Sequence, residues 1–226
     1  MIFYNRIVYI IANNLLSVSN WLISLVVAPK ILENWFVVIK NTNATPNYLY
    51  YILLCDGMGT GEEAAREGKR AGVLLRDLLA AGYPAEYALR TVNSLCALQG
   101  KAGIVTIDLA ELRLDTGKAV LYKWGAAPSY LIDRGEPIKI GTATPPPGLS
   151  VTEARETVER LSLRRGETLV LLSDGAGREG DLRLRWERAG EPVSELASRI
   201  LESSQTDGSD DATVAVVRLV SSSVST

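Results

Sequence analysis

The 226-residue chain has no histidine. That single absence removes every histidine-based nucleophile relay, histidine general base and histidine-ligated metal. There are two cysteines, Cys55 and Cys96, too few for a disulfide framework or a cysteine-rich zinc site. An excess of either charge is also missing. The 24 Lys+Arg stand against 26 Asp+Glu, and a formal charge of −2 leaves no basic footprint for nucleic acid. What remains for metal binding is oxygen, and what remains for proton transfer is carboxylate, water or something weaker. The hydrophobic fraction of 47% is ordinary for a folded protein, and the length suits one sizeable core.

Other absences are local. No glycine precedes Gly57 and no aspartate precedes Asp56. Asparagine runs the other way, with only Asn93 beyond Asn47. This shift divides the chain into an Asn-rich hydrophobic segment over 1–47, an organised domain over 48–220 and a polar tail over 221–226 expected to be disordered. Within the first segment, 7–29 carries no charge and is long enough to span a bilayer as a helix of about 20 residues. Asn13, Asn14, Ser17, Ser19, Asn20 and Ser24 interrupt it, and lipid disfavours each of those amides and hydroxyls. Three readings stay open: a membrane anchor, buried strands or a helix of the following domain, and a segment foreign to that domain.

From Tyr48 the pattern becomes legible. The run from Tyr48 to Cys55 is apolar and ends at Asp56-Gly57, which predicts a strand buried on both faces. Thr60 and Glu63 have capping-box spacing, which predicts a helix start, and Gly82 a stop. Pro84 suits the first turn of a second helix, with Ala88, Leu89, Val92, Leu95 and Cys96 facing inward. Strands are predicted over 104–114, 119–124, 129–132, 157–163, 167–173 and 212–219, separated by Gly-containing turns and a stiff Pro145-Pro-Pro-Gly148 loop. A helix over 192–203 precedes the last strand. Strands dominate and helices come in blocks, so the class is α+β with antiparallel sheets packed against helices.

Three apolar strands carry acid at one end. Asp56-Gly57 follows the first, Asp174-Gly175 follows Leu169–Ser173, and Asp210-Asp211 precedes Ala212–Val217. Each such pair alone reads equally as a turn or a helix cap. Together, on neighbouring strands of suitable direction, they would converge at one sheet edge, repel, and call for a divalent cation. All-oxygen ligation selects Mg²⁺ or Mn²⁺ ahead of Ca²⁺. Cys55, beside Asp56, falls on the opposite strand face and reads as core.

Six short motifs then follow in one order: Asp56-Gly-Met-Gly-Thr-Gly61, Ile107-Asp-Leu109, Lys123-Trp-Gly-Ala-Ala-Pro-Ser129, Pro147-Gly148, Leu172-Ser-Asp-Gly175 and Asp210-Asp-Ala-Thr213. In these the chain, from about Tyr48 to Leu219, resembles the phosphatase domain of the stage II sporulation protein E family, within the metal-dependent, type 2C-like serine/threonine phosphatases. The resemblance implies two central antiparallel sheets flanked by helices, a four-layer α-β-β-α sandwich. It implies a pair of Mn²⁺ or Mg²⁺ ions held by the catalytic carboxylates Asp56, Asp174 and Asp210. Asp56 would bridge both ions, the Gly57 carbonyl would ligate one, and Asp174 and Asp210 the other, with Asp211 the alternative to Asp210. It implies a water, acidified by the ions, attacking a phosphoserine or phosphothreonine protein. The substrate implied is a phosphorylated anti-sigma factor antagonist in sporulation or stress sigma-factor control. The location implied is cytoplasmic, with membrane association through 7–29 and a homodimer left open.

Two positions set this chain apart. Type 2C enzymes often have a histidine two residues after the bridging aspartate. Met58 stands there, as in the sporulation branch, and leaves protonation of the leaving oxygen to water. The family also carries a Gly-Asp pair ahead of the first Asp-Gly, whereas here only Asn41 or Asn43 lies near that place. Two functions therefore stay open: an active phosphoprotein phosphatase, and a degenerate domain kept for binding or inactive altogether. A hydrolase for another phosphate ester is a third.

Overall fold

The computed structural model describes residues 21–29, 35–40, 49–59, 61–99, 104–149, 156–176, 191–203 and 212–221. Among the described residues, ten strands form two five-stranded sheets. One sheet has β2 (Trp35–Lys40), β3 (Leu49–Gly57), β4 (Val105–Arg113), β5 (Lys118–Trp124) and β8 (Thr157–Ser162) in that order. The other has the order β1 (Trp21–Pro29), β10 (Thr213–Ser221), β9 (Thr168–Leu172), β6 (Ser129–Asp133) and β7 (Glu136–Ile140). All neighbouring strands run antiparallel. We call them the β3 sheet and the β9 sheet.

Alternation along the strands builds the layers. On β3, Tyr51, Leu53 and Cys55 face helices α1 (Glu62–Ala80) and α2 (Ala85–Gln99). Ile52, between them, faces the other sheet with Ala110, Leu112 and Leu121. Leu169, Leu171, Ala215 and Val217 meet them from the β9 sheet. Val170, Leu172, Val214 and Val216 point the other way, onto α3 (Val193–Ser203). Two sheets with a helical layer outside each make the α-β-β-α sandwich. Strands buried on both faces explain why their sequences are nearly continuous apolar runs.

The start of α1 differs from the capping-box expectation. The cap is Gly61, without a side-chain cap bond, and the first helical residue is Glu62. Gly61 has φ +93°, a backbone that glycine adopts without strain and threonine does not. The helix stops where expected, at the Gly82 turn, and Pro84 opens α2 by accepting the Ala88 N–H at 3.1 Å. Strand β7 was not anticipated. Its exposed Lys139, Glu136 and Ile138 hide the alternation of a buried strand, as befits a sheet edge.

The front of the chain contributes more than its composition announces. Trp21–Pro29 pairs along its whole length with β10, and Trp35–Lys40 with β3. The second part of the uncharged 7–29 run is thus a sheet strand, while 7–20 lies outside the described residues. Among the described residues no helix is long and apolar enough to cross a membrane.

The Pro145–Gly148 loop clamps α2. The Gly148 N–H donates to Oδ1 of the buried Asn93 at 2.9 Å. Asn93→Ala removes that acceptor and leaves a part-buried amide unpaired. We expect a loss of about 1–3 kcal/mol, read as a lower urea midpoint with unchanged slope.

Candidate metal centre

The β3 strand delivers Asp56 and Gly57 to its end, where Gly57 pairs with Val105 and Met58 N–H donates to the Ile104 carbonyl at 3.0 Å. Helix α1 presses on this end. A Cβ on Gly57 would lie 1.9 Å from the Ala64 carbonyl oxygen, so no larger residue fits there without moving the helix. The buried stripe of α1 explains the approach. It is small near β3, with Ala64, Gly68, Ala71 and Gly72, and widens to Leu75 and Leu79 further along. Asp56 is half-buried and Met58 is exposed. By alternation with Ile52, Asp56 belongs to the face of β3 turned toward the other sheet.

In the β9 sheet, Asp174 opens a single 3-10 turn just after β9 and is exposed. Its Oδ1 accepts the Gly175 N–H at 3.0 Å. Beside it the chain enters β10: the Ser173 N–H donates to the Thr213 carbonyl at 3.0 Å, and the Thr213 N–H to Ser173 Oγ at 2.8 Å. Asp210 and Asp211 lie outside the described residues, as do Asn41 and Asn43.

A buried polar triad shows that both strand ends share one edge of the sandwich. Lys123 on β5 sits directly opposite Asp108 on β4, and the two form an ion pair. Lys123 Nζ also donates to Ser129 Oγ at 2.8 Å, and the Ser129 hydroxyl donates to Asp108 Oδ2 at 3.2 Å. Ser129 begins β6, in the other sheet. The end of β3, the start of β4 and the end of β5 therefore lie against the start of β6. Antiparallel pairing of β6 with β9 and of β9 with β10 then brings Asp174 and the entry to β10 to that edge. Burial pushes the Asp108 carboxyl above its ordinary range, against the opposing pull of the Lys123 ammonium and two hydrogen bonds.

Asp108, Lys123 and Ser129 all fall inside the sequence motifs, yet neither composition nor spacing assigns them a role. The signal was present. Asp108 and Lys123 occupy interior positions of apolar strands, where an ionised group is retained only with a partner.

The oxygen donors at the edge fit a hard divalent cation: Asp56 and Asp174 offer carboxylates and Gly57 a backbone carbonyl. Among the described residues, no group of three or more His, Cys, Asp or Glu could hold an ion by itself. Of the expected carboxylates, only Asp56 and Asp174 are described.

A model of the stage II sporulation protein E family matches residues 46–220. The chain belongs to that family. It is 30% identical over 127 residues to stage II sporulation protein E of Priestia megaterium, covering 56% of this chain and 22% of that protein. The chain thus spans about a fifth of that relative's length. The structure is similar to the PP2C phosphatase domain and regulatory fragment of the Bacillus subtilis protein. There the TM-score is 0.78 at 24% identity, over 89% of this chain and 64% of that one. It is also similar to the catalytic domain of the serine/threonine phosphatase PstP in complex with two manganese ions. That match has a TM-score of 0.66 at 18% identity, over 88% of this chain and 99% of that one. The fold is the PP2C fold, as the resemblance implied.

The two thiols stand apart from this chemistry. Cys55 is fully enclosed on the helix side of β3, and burial, reinforced by the nearby Cys96, raises its thiol well above normal. Cys96 is pushed up to about 11, mainly by burial. At pH 8 a thiol of that pKa is about one part in a thousand thiolate. A disulfide reagent at pH 8 should leave both cysteines unmodified in the folded protein and label both in urea, as counted by intact mass.

Proposed function

We propose that the chain is a metal-dependent serine/threonine phosphoprotein phosphatase. The observation that carries this reading is the joining of β3 and β9 ends at one edge, where oxygen donors from both sheets are offered and no histidine or reactive thiol competes. Asp56 and the Gly57 carbonyl would hold ions from the β3 side, and Asp174 from the β9 side, with Asp210 or Asp211 completing the set. When bound, two Mn²⁺ or Mg²⁺ ions supply a water of lowered pKa and positive charge for the phosphoryl oxygens.

The chain's own residues do the rest. β-ladder pairing fixes the backbone of Asp56 and Gly57, so the Gly57 carbonyl and the strand face that carries the Asp56 side chain are set before any ligand arrives. Close packing of α1 on Gly57 holds that strand end against shear. Met58, exposed beside the site, offers no proton, and solvent reaching it protonates the leaving serine or threonine oxygen. The family resemblance supports a phosphorylated anti-sigma factor antagonist as substrate and the cytoplasm as the place of action.

A second reading has its own support. No aspartate precedes Asp56, so the family's upstream carboxylate is absent, and a domain that binds without turning over is the alternative. Hydrolysis of a phosphoserine peptide separates the two. We expect turnover that rises with Mn²⁺, stops with a chelator and falls at least about a hundredfold in Asp174→Asn, beyond the usual effect of an outer-sphere contact. A folded chain with no turnover at millimolar Mn²⁺ would leave the binding reading in possession.

A further inference from the structure

We infer that Asp108, Lys123 and Ser129 are positioning residues, which set the offset of one sheet over the other and thereby the spacing of the carboxylates that hold the metal ions. The inference rests on the phosphatase reading and goes beyond it, because none of the three offers an atom to the proposed centre.

The placement comes first. Asp108 lies opposite Leu54, two residues along β3 from Asp56, or about 7 Å by strand rise. Asp56, Asp108 and Lys123 all occupy positions on the face of the β3 sheet turned inward, since their neighbours Ile52, Ala110 and Leu121 do. The triad is thus the layer just beneath Asp56. Ser129 holds the corresponding inward position at the start of β6, because Leu131 packs inward while Tyr130 and Ile132 face α3.

The surroundings are built for a fixed lysine. Asp108, Lys123 and Ser129 are each at most 1% exposed. A Cβ on Gly141 would fall 2.5 Å from Lys123 Cδ, so glycine there makes room for the lysine stem. Thr144 accepts the Gly125 N–H at 2.9 Å and closes the bend that links β5 to β6. Among the described residues, Asp108 Oδ1 has no hydrogen-bond partner. A group retained at that cost points to a task other than cohesion, because a buried ion pair replaced by apolar residues of similar volume often loses no stability.

The task follows from direction. The layer between the sheets is aliphatic below this point, and apolar contact is non-directional. The hydrogen bonds that Ser129 Oγ accepts from Lys123 and donates to Asp108 are directional and cross between the sheets. They hold Asp56 and Asp174, which arrive from different sheets, at one separation. Divalent ions of this kind accept little error in ligand distance.

Two variants test it, with Mn²⁺ affinity by calorimetry and melting temperature as readouts. Ser129→Ala cuts the cross-sheet bonds and leaves the ion pair within its own sheet. Asp108→Leu with Lys123→Met replaces the pair by apolar residues of similar volume. We expect Mn²⁺ binding at least fivefold weaker in Ser129→Ala, with a cooperative melt retained, and weaker again in the double variant. If Ser129→Ala binds Mn²⁺ as the unsubstituted chain does, the positioning role is overturned and the phosphatase reading stands. If the unsubstituted chain binds no Mn²⁺ while Ser129→Ala is equally folded, both fall. Ser129→Ala decides the matter whether or not the double variant folds.

Discussion

Apolar contact holds two sheets together without saying where one should stop over the other. Here the aliphatic layer from Ile52 to Leu219 supplies cohesion, and a small number of directional bonds at one edge supply alignment. That division of labour is the constraint on which the rest depends. A centre drawn from β3 on one side and β9 on the other exists only if the two sheets keep a fixed offset. The Lys123–Ser129 link lies at the same edge as the donors it would align. At the far edge the backbone bonds stay within each sheet: Gly117 accepts from Leu163 at 2.8 Å beside the β5–β8 pairing, and Gly166 donates to Leu219 at 3.1 Å beside the β9–β10 pairing.

The helices act on the same edge from outside. Small residues on the first half of α1 let it descend onto Gly57, and the Pro145–Gly148 loop binds α2 through Asn93 while covering Cys96. Gly125, on the other side of that loop, meets Pro146 at a separation that excludes any Cβ. One loop therefore touches both the β5–β6 bend that carries Ser129 and the helix layer above β3. Packing at this density transmits displacement rather than absorbing it. The end of β3, the helices and the buried triad form one mechanically continuous edge.

Much of this was legible in the sequence because burial on both faces leaves a strong mark. The central strands β3, β9 and β10 read as apolar runs, β4 and β5 as strands between turn signals, and Gly82 and Pro84 mark the turn of the helical hairpin. Asp56 and Asp174 stood out as acid at the end of such runs. What escaped did so for physical reasons. β7 is an edge strand with charged, exposed positions, so its pattern is that of surface. The α1 cap depends on a glycine backbone angle, which leaves no side-chain signature. The triad depends on pairing between β4 and β5 and on the crossover to β6. No local window contains that information, even though each member lies in a motif.

The front of the chain separates two requirements that a family pattern joins. β1 and β2 sit at the outer edges of their sheets and pair with β10 and β3. An edge strand contributes backbone hydrogen bonds and an apolar face, which Ile, Val, Leu and Trp satisfy in many orders. Composition can therefore change sharply before Asp56 without loss of the sandwich. A metal ligand has no such freedom, since only a carboxylate supplies both the charge and the oxygen that a hard cation selects. A chain can then retain the fold through its first strands while lacking the family's first aspartate. The fold bears on where such donors would meet, and the donors themselves would set how tightly ions are held there.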